Sequence, residues 1–333
     1  MALVGRWSAI VRSRFRNTGI LANTIYRYRK KMAPTASAVQ EAGTEPAWYS
    51  PPDFKALSDV IPPDVVPLAK QYADRAVHLV PLGGLVPRQD EIIAKAVFEF
   101  FQATSSLAGA SLEQIRSYVA EFRQIYLNCP ITHNSGGANF TTALNIYMIA
   151  RCLSPKLIVE CGVFKGASSY FLNAGSPKAQ QYSFDPNIEQ IVYRTPGVNY
   201  ANHDWMHSNV RSEAPGTGLC YFDDHQNQAT RIIQAHERGF RHLIMDDAWP
   251  LEVPGSGWPP TPSIEMILDN WLNVGESVRW IEGTKMWTYT QTDESYRLIE
   301  QARAVIKVAY DLPSLYRQTG VAPTSAGKYV ELV

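Results

Sequence analysis

The stretch KLIVECGVFKGASSYF, residues 156–171, decides the fold of this chain. Its first half, KLIVECGV, is a short and continuously apolar run with β-branched residues, which is typical of a strand buried on both faces of a sheet. The sequence then continues as GASSYFLNAG, which predicts a helix that stops at a glycine. A buried strand that enters a helix through a glycine turn predicts a βα unit of a parallel sheet.

The alternation of strands and helices continues to the end of the chain. Strands are predicted at QQYSFD, GVNYANHDW, GLCYFDD, RHLIMDD, SVRWIEG, KMWTYTQ and KYVELV, and helices at NFTTALNIYMIARCL, QNQATRIIQAHERG, SIEMILDNWL and DESYRLIEQARAVIKVAYD. This order predicts an α/β fold with a doubly wound, mostly parallel sheet. Two further helices are predicted upstream, at DEIIAKAVFEFFQAT and SLEQIRSYVAEFRQIYL, the second opened by a capping box of Ser111 and Gln114. The sheet therefore carries an N-terminal helical extension.

The glycine turn after the first strand is a candidate ligand site. Glu160, Gly162 and Gly166 form an E-x-G-x-x-x-G pattern between the strand and its helix. Glycine permits positive φ and close approach of a ligand, and the helix N-terminus offers free N–H groups to an anion. The pattern is not the G-x-G-x-x-G dinucleotide fingerprint, because an acidic residue replaces its first glycine. That acid suits a ligand with an ammonium or sulfonium charge; glycines that serve packing alone are the alternative.

Acidic residues also end the second and third predicted strands. Asp185 follows the second strand, where a carboxylate can accept hydrogen bonds from ribose hydroxyls, and a turn-starting Asp before Pro186 is the alternative. Asp204 follows the third strand and is a candidate acceptor for an adenine amino group, with Trp205 or His203 beside the base. A solvated loop is the alternative there.

Two pairs of aspartates follow the fourth and fifth predicted strands. They are Asp223–Asp224 and Asp246–Asp247. The carboxyl ends of parallel strands meet at one edge of the sheet, so these four carboxylates repel one another unless a cation lies between them. A hard divalent cation such as Mg²⁺ takes oxygen ligands of this kind. Helix capping by the first pair and simple solvent exposure are the alternatives.

The chain resembles the class I S-adenosylmethionine-dependent methyltransferases over roughly residues 130–290, with IVECGVFKGASS as the first motif. The resemblance implies a Rossmann-like methyltransferase fold. It also implies that Gly162 and Gly166 line the turn that holds the methionine part of the cofactor, with Ser168 near its carboxylate. The same resemblance gives Asp185 to the ribose.

The acidic pairs resemble those of the metal-dependent O-methyltransferases. Catechol O-methyltransferases carry Asp-His after the fourth strand and Asp-Asn after the fifth, where this chain has Asp224-His225 and Asp246-Asp247. The Asp-Asp form at the second position also resembles the macrolide-sugar O-methyltransferases and the cephalosporin-hydroxylase-like proteins. This resemblance implies that Asp224, Asp246 and Asp247 are metal ligands. Asp223 is then a reserve ligand or supports one of the others.

The chain departs from the catechol enzymes at the base. Those enzymes place a lysine three residues after the first metal aspartate, where this sequence has Asn227. His225 is the first candidate for the base, because its ordinary pKa suits proton transfer near neutrality, and Asp223 is the second. The implied reaction is Mg²⁺-assisted methyl transfer from S-adenosylmethionine to a hydroxyl of a small molecule or sugar. Two alternatives stay open: a non-catalytic member that binds the cofactor or a partner, and a metal-dependent phosphoryl or glycosyl transferase.

Composition and charge bound the remaining expectations. The four cysteines form no C-x-x-C pair, which favours reduced thiols in an intracellular protein. Residues 1–40 contain eight Lys or Arg and no acid, which leaves 23 basic and 31 acidic residues in the remainder. That tail is a candidate for contact with an anionic membrane surface, and residues 1–35 are also a candidate mitochondrial transit segment; a disordered basic arm is the alternative.

The domain prediction has three parts. Residues 1–40 form the basic tail, 41–130 a linker and helical cap, and 131–333 the cofactor-binding methyltransferase domain. We expect a cytoplasmic protein with a small-molecule or sugar acceptor and no nucleic-acid partner. Peripheral membrane contact through the tail and a homo-oligomeric state are left open.

Overall fold

The structure is a computed structural model that describes residues 86–131, 134, 136–248, 262–269, 272–282, 285–319 and 326–333. The predicted basic tail and the linker up to residue 85 lie outside the described residues, so the predictions made for them stay predictions. Within the described ranges, no helix combines the length and the apolar character that a membrane span requires.

A seven-stranded sheet forms the centre of the described fold, with the spatial order β3-β2-β1-β4-β5-β9-β8. In chain order the strands of the protein are β1 (Leu157–Cys161), β2 (Gln180–Phe184), β3 (Val198–Ala201), β4 (Gly218–Phe222), β5 (His242–Met245), β6 (Ser277–Glu282), β7 (Lys285–Thr290), β8 (Ile306–Asp311) and β9 (Lys328–Leu332). Strands β1 to β5 pair in parallel, whereas β9 runs antiparallel to both of its neighbours. The predicted α/β, doubly wound and mostly parallel sheet is therefore confirmed.

Helices cover both faces of this sheet. They are α1 (Val86–Ala103), α2 (Leu112–Leu127), α3 (Phe140–Leu153), α4 (Ala167–Gly175), α5 (Gln228–Glu237), α6 (Ile264–Asp269), α7 (Asp293–Val305) and α8 (Tyr316–Thr319). Successive strand residues point to opposite faces, so Ile158 packs into one core with α1 to α4 and Val159 into a second core with α5 to α7. The N-terminal helices thus complete one layer of the fold, and the predicted capping box of Ser111 and Gln114 opens α2.

The last predicted helix is wrong over its final six residues, 306–311. The sequence predicts one helix over 293–311, but α7 ends at Val305 and the chain continues directly as β8. Residues 306–311 pair antiparallel with β9, where Val308 lies opposite Glu331 and Asp311 opposite Lys328. This pairing with a strand some twenty residues away outweighs the helical periodicity of the segment, which is a local signal only.

Strands β6 and β7 form a separate two-stranded antiparallel sheet. Both segments were predicted as strands from their sequence, and both are strands. The sequence pattern did not show that they pair with each other rather than with the central sheet.

The order of the strands places a crevice beside β1. From β1 the chain moves outward through β2 to β3 and then returns to the other side of β1 as β4. Ligands of doubly wound sheets bind at such a reversal, beyond the carboxyl ends of the strands. The candidate site lies there.

Candidate active site

A pocket of about 490 Å³ lies beyond the carboxyl ends of β1, β2, β4 and β5. Its volume falls in the range of small-molecule sites, roughly 300–1,000 Å³. Eight of the residues predicted from the sequence line it: Gly162, Ser168, Asp185, Asp223, Asp224, His225, Asp246 and Asp247. The stretch before α3 also reaches the pocket, through Asn134 and residues 136–138.

The two glycines of the first turn have backbone conformations that a side chain would not tolerate. Gly162 has φ +88°, and a Cβ there would lie 2.2 Å from the carbonyl oxygen of Asp223. Gly166 has φ +97°, and its Cβ would lie 2.3 Å from the carbonyl oxygen of Tyr193. Gly162 lines the pocket and Gly166 does not. Both glycines therefore permit a close packing of loops, and Gly162 does so at the pocket wall.

The N-terminus of α4 faces the same pocket. Gly166 is its N-cap and supplies no side-chain hydrogen bond, while Ala167 and Ser168 of the first turn line the pocket. The first N–H groups of a helix have no partner within the helix, and the helix dipole adds partial positive charge there. This end of the pocket suits an anionic group such as a carboxylate.

Glu160 does not line the pocket. Its side chain is fully buried beneath the turn, where the hydroxyls of Ser169 and Ser183 donate hydrogen bonds to it. Burial raises the pKa of Glu160, and the serine donors oppose that shift. These contacts tie α4 and β2 to β1, and the direct ligand contact expected from the sequence stays a prediction.

Asp185 lines the pocket and also holds the glycine turn in place. Its Oδ2 accepts the backbone N–H groups of Val163 and Phe164 at 2.9 and 3.0 Å, and its Oδ1 accepts that of Asn187 at 2.8 Å. Charged hydrogen bonds of this kind are each worth about 1.5–3 kcal/mol. The carboxylate thus fixes the turn whether or not it also meets a ribose.

Asp204 lies outside the pocket lining and is bound by Arg231. The guanidinium of Arg231 donates from two of its nitrogens to the two carboxylate oxygens, and the backbone N–H of Met206 donates to Oδ1 at 2.7 Å. The neighbouring Trp205 is fully buried in the core. The expectation that Trp205 flanks a base is therefore wrong, and the adenine contact of Asp204 stays a prediction.

Asp224 is also bound by Arg231. The Nε of Arg231 donates to Asp224 Oδ2 at 2.8 Å, while the backbone N–H of Gln226 donates to Oδ1 at 3.3 Å. Burial raises the pKa of Asp224, and the Arg231 charge opposes the shift. The carboxylate predicted as the first metal ligand is therefore half of an ion pair in the structure.

Asp223 and Asp246 both contact Tyr221. Its buried hydroxyl lies 3.2 Å from Asp223 Oδ2 and 2.9 Å from Asp246 Oδ2. Burial raises the pKa of Asp223 well above its ordinary value, and the charges of Asp246 and Asp247 add to the shift. Burial likewise raises the pKa of Asp246 to about 7. Negative charge at these groups is thus unfavourable without a counter-ion.

His225 completes this group. Its Nε2 lies 2.9 Å from Asp247 Oδ2, and 47% of the imidazole side chain is exposed. The hydrogen bond to Asp247 raises the pKa of His225, and burial opposes the shift. Both residues have positive φ, +55° and +53°, as does Phe164 at +50°. These three line the pocket, and strained backbone of this kind clusters at functional sites.

Asp223, His225 and Asp247 fit a metal ion. Each offers one donor atom, and the three atoms lie within 4.8 Å of one another. Two carboxylates and an imidazole are a common donor set for divalent cations. The predicted set of Asp224, Asp246 and Asp247 stays a prediction; the donor atoms found together belong to Asp223, His225 and Asp247, and Asp246 contacts Tyr221.

Several residues of the site were missed by sequence reasoning. Arg231 is an arginine on the buried face of the helix that follows the first acidic pair, and an excess of nearby carboxylates was the only signal for it. Tyr221 was missed because it lies within the apolar run of β4, where it reads as an ordinary buried core residue. Gln228 donates to the backbone carbonyl of Asp246 at 2.6 Å and accepts the N–H of Ile264 at 2.6 Å, which ties α5 to the end of β5.

No family model matches the chain, and no curated protein matches it. Solved structures do match it. The chain is similar in structure to SAH-bound O-methyltransferases. One is the O-methyltransferase from Bacillus cereus in complex with SAH, with 13% identity, a TM-score of 0.36, and coverage of 72% of this chain and 99% of that one.

Two further similar structures come from other sources. The SAH-bound methyltransferase PaMTH1 of Podospora anserina has 12% identity and a TM-score of 0.36 over 65% of this chain and 88% of that one. CmcI-D160 with Mg and SAM has 13% identity and a TM-score of 0.34 over 58% of this chain and 72% of that one. At these values the functional conclusions rest on the geometry of the site itself.

Proposed function

We propose that this protein is an S-adenosylmethionine-dependent O-methyltransferase that uses a divalent cation such as Mg²⁺ and acts on a hydroxyl of a small molecule or sugar. One observation carries the proposal. A single pocket joins a glycine turn and an open helix N-terminus at one end to a cluster of carboxylates and an imidazole at the other. A methyl donor and a cation-held acceptor require these two kinds of surface side by side.

The residues at the first end fit the methyl donor. The N-terminus of α4 and Ser168 suit its carboxylate. Gly162 has a positive φ and, as a glycine, places no side chain at the pocket wall. Asp185 stands at the end of β2 and lines the same pocket, where the ribose hydroxyls of a nucleoside can reach a carboxylate.

The residues at the second end fit the cation. Asp223 and Asp247 place carboxylate oxygens within 4.8 Å of each other, and His225 is left to act as the base. Burial and, after it, the charges of Asp246 and Asp247 raise the pKa of Asp223, and a bound dication would offset the cost of charge at this group. Oxygen donors favour Mg²⁺.

The chemistry divides between these groups. When bound, the cofactor supplies the methyl group, and the cation supplies positive charge that makes the acceptor hydroxyl more acidic. His225, whose Nε2 is held by Asp247, would accept the hydroxyl proton at its other ring nitrogen, Nδ1. S-adenosylmethionine would give its methyl group to the acceptor oxygen, and its sulfur would keep the electron pair of the broken sulfur–carbon bond. The fixed turn and the strained loops align donor and acceptor, which is the main contribution of the protein.

Calorimetry and product analysis test the proposal. We expect the full chain to bind S-adenosylmethionine and its demethylated product, and to methylate at least one compound of a hydroxyl library in the presence of Mg²⁺, with chelation by EDTA abolishing turnover. No binding of the cofactor at millimolar concentration would refute the proposal.

A second candidate function is a binding protein that retains the cofactor site without catalysis. Asn227 favours it, because this residue occupies the position of the base in the catechol enzymes and cannot accept a proton. Cofactor binding that is independent of metal, with no methyl transfer to any hydroxyl of the library, would establish this alternative.

A further inference from the structure

Arg231 makes the most extensive set of polar contacts at the edge of the site. The residue is 3% exposed, and its guanidinium reaches Asp204 with two nitrogens, Asp224 Oδ2 with Nε, and Gln234 Oε1 with Nη1 at 2.9 Å. Its charge also lies 5.9 Å from the centre of the Phe222 ring. A planar guanidinium engaged on several sides is held in one orientation.

Its two carboxylate partners come from different strands. Asp204 follows β3, and Asp224 follows β4. Arg231 itself projects from α5, so one side chain joins two loops and a helix. A buried arginine between two carboxylates is costly to remove, since its loss leaves two partly buried negative charges without a counter-charge.

Asp223 and Asp224 are adjacent in sequence and differ sharply in their surroundings. Asp224 Oδ2 is paired with Arg231, whereas no ion pair reaches Asp223 anywhere in the described part of the chain. Asp223 instead faces Tyr221, Asp246 and Asp247. Its donor oxygen, and no oxygen of Asp224, belongs to the set within 4.8 Å that fits a metal ion.

We propose that Arg231 is a positioning residue that decides which carboxylate of the pair serves the cation: it holds Asp224 in an ion pair and leaves Asp223 to the metal. This inference rests on the cation of the proposed function. It explains why the chain places two aspartates here, because one pairs with a buried arginine and the other is left to contribute to the cation site.

The matched pair of variants is Asp223→Asn and Asp224→Asn. Each removes one charge at neighbouring positions with little change in shape. Mn²⁺ serves as the probe, since its electron paramagnetic resonance signal counts free and bound ion without any need for turnover. With the full chain, we expect Asp223→Asn to lose Mn²⁺ binding and Asp224→Asn to keep the wild-type affinity while lowering the melting temperature.

A third variant tests the role of Arg231 itself. In Arg231→Gln the Asp224 carboxylate is released, so the substitution Asp224→Asn, silent for Mn²⁺ in the wild type, should change Mn²⁺ affinity in this background. An effect of about 10–100-fold is typical of groups that support metal ligands. If Arg231→Gln does not fold, Arg231→Lys keeps the charge but loses the planar fork, and the same comparison applies.

The outcomes separate this inference from the proposed function. If wild-type protein binds no Mn²⁺, both the cation and the role of Arg231 are overturned. If Mn²⁺ binds but Asp224→Asn abolishes binding, alone or together with Asp223→Asn, the cation stands and the selection by Arg231 is wrong. An equal effect of Asp224→Asn with and without Arg231 also overturns the selection.

Discussion

The side-chain oxygen of Asn227 accepts the backbone N–H of Thr230 at 3.1 Å and so caps α5. This residue occupies the position at which the catechol enzymes keep a lysine base. Here it serves the helix, and its helix carries Arg231 into contact with the acidic loops. In the proposed function the proton acceptor therefore comes from another position, and His225 is the residue that we propose for it.

Loss of this cap should reduce stability and spare the pocket. We expect Asn227→Ala to lower the free energy of unfolding by about 1 kcal/mol, the usual value of an N-cap side chain. Asn227→Asp, which keeps an acceptor oxygen, is the matched control and should stay near the wild type. Urea denaturation measures the difference. An alanine variant as stable as the wild type would contradict the capping role.

The glycine turn should not tolerate a methyl group. In Gly162→Ala the new Cβ would meet the backbone of Asp223 at 2.2 Å, and we expect a loss of several kcal/mol or failure to fold. Gly197→Ala is the matched control, because Gly197 also has positive φ, +82°, but no atom lies within 4 Å of its Cβ position. That variant should lose only the roughly 1–2 kcal/mol of left-handed backbone strain. Thermal unfolding of the two proteins decides the matter, and equal losses would show that the contact with Asp223 is unimportant.

Asp185 should affect both stability and cofactor binding. In Asp185→Ala the N–H groups of Val163, Phe164 and Asn187 lose their acceptor, and a buried donor left unpaired, as that of Val163 would be, costs about 1–3 kcal/mol. We expect calorimetry to show at least about a tenfold loss of S-adenosylmethionine affinity, which corresponds to 1.4 kcal/mol. Asp185→Asn keeps one acceptor oxygen and should fall between the alanine variant and the wild type. Wild-type affinity in a folded alanine variant would remove Asp185 from the site.

A histidine far from the pocket should make stability depend on pH. His242 Nδ1 lies 2.7 Å from the hydroxyl of Tyr329, and burial lowers the pKa of this histidine below its ordinary value of about 6.5. Below that pH the unfolded chain binds the proton before the folded protein does. Stability should therefore be lost as the pH falls from about 6.5 through the lower pKa of the folded state.

The variant His242→Gln checks this pH dependence. We expect a shallower fall in melting temperature between neutral and acidic pH than in the wild type. The control variant is His207→Gln, which removes an exposed histidine and so leaves the same total number of histidines as His242→Gln. We expect this control to show the wild-type dependence of melting temperature on pH. An unchanged slope in His242→Gln would assign the acid sensitivity to other groups.

The sequence predicted the sheet and the edge at which the site lies, because both depend on local patterns. Continuous apolar runs identified β1, β4 and β5, and the polar residues that follow each run had to meet at one edge of a parallel sheet. The helix predicted over 293–311 failed at β8, since edge pairing with β9 depends on a strand that the local pattern does not include. Arg231 was missed for the same reason, because its partners lie 7 and 27 residues away in the chain.

The sequence by itself determined the order of strands and helices from β1 to α7, the two glycines of the first turn, and the two acidic pairs at the strand ends. Only the tertiary structure decided how the acidic residues divide their work. Asp224 joins Asp204 around Arg231, Asp223 turns to Tyr221 and the pocket, and Glu160 turns inward to Ser169 and Ser183. The physical reason is that the end of a strand determines only the position of the acidic residue in the fold. Its role depends on which buried cation or hydrogen-bond donor the rest of the fold brings within about 3 Å of its carboxylate.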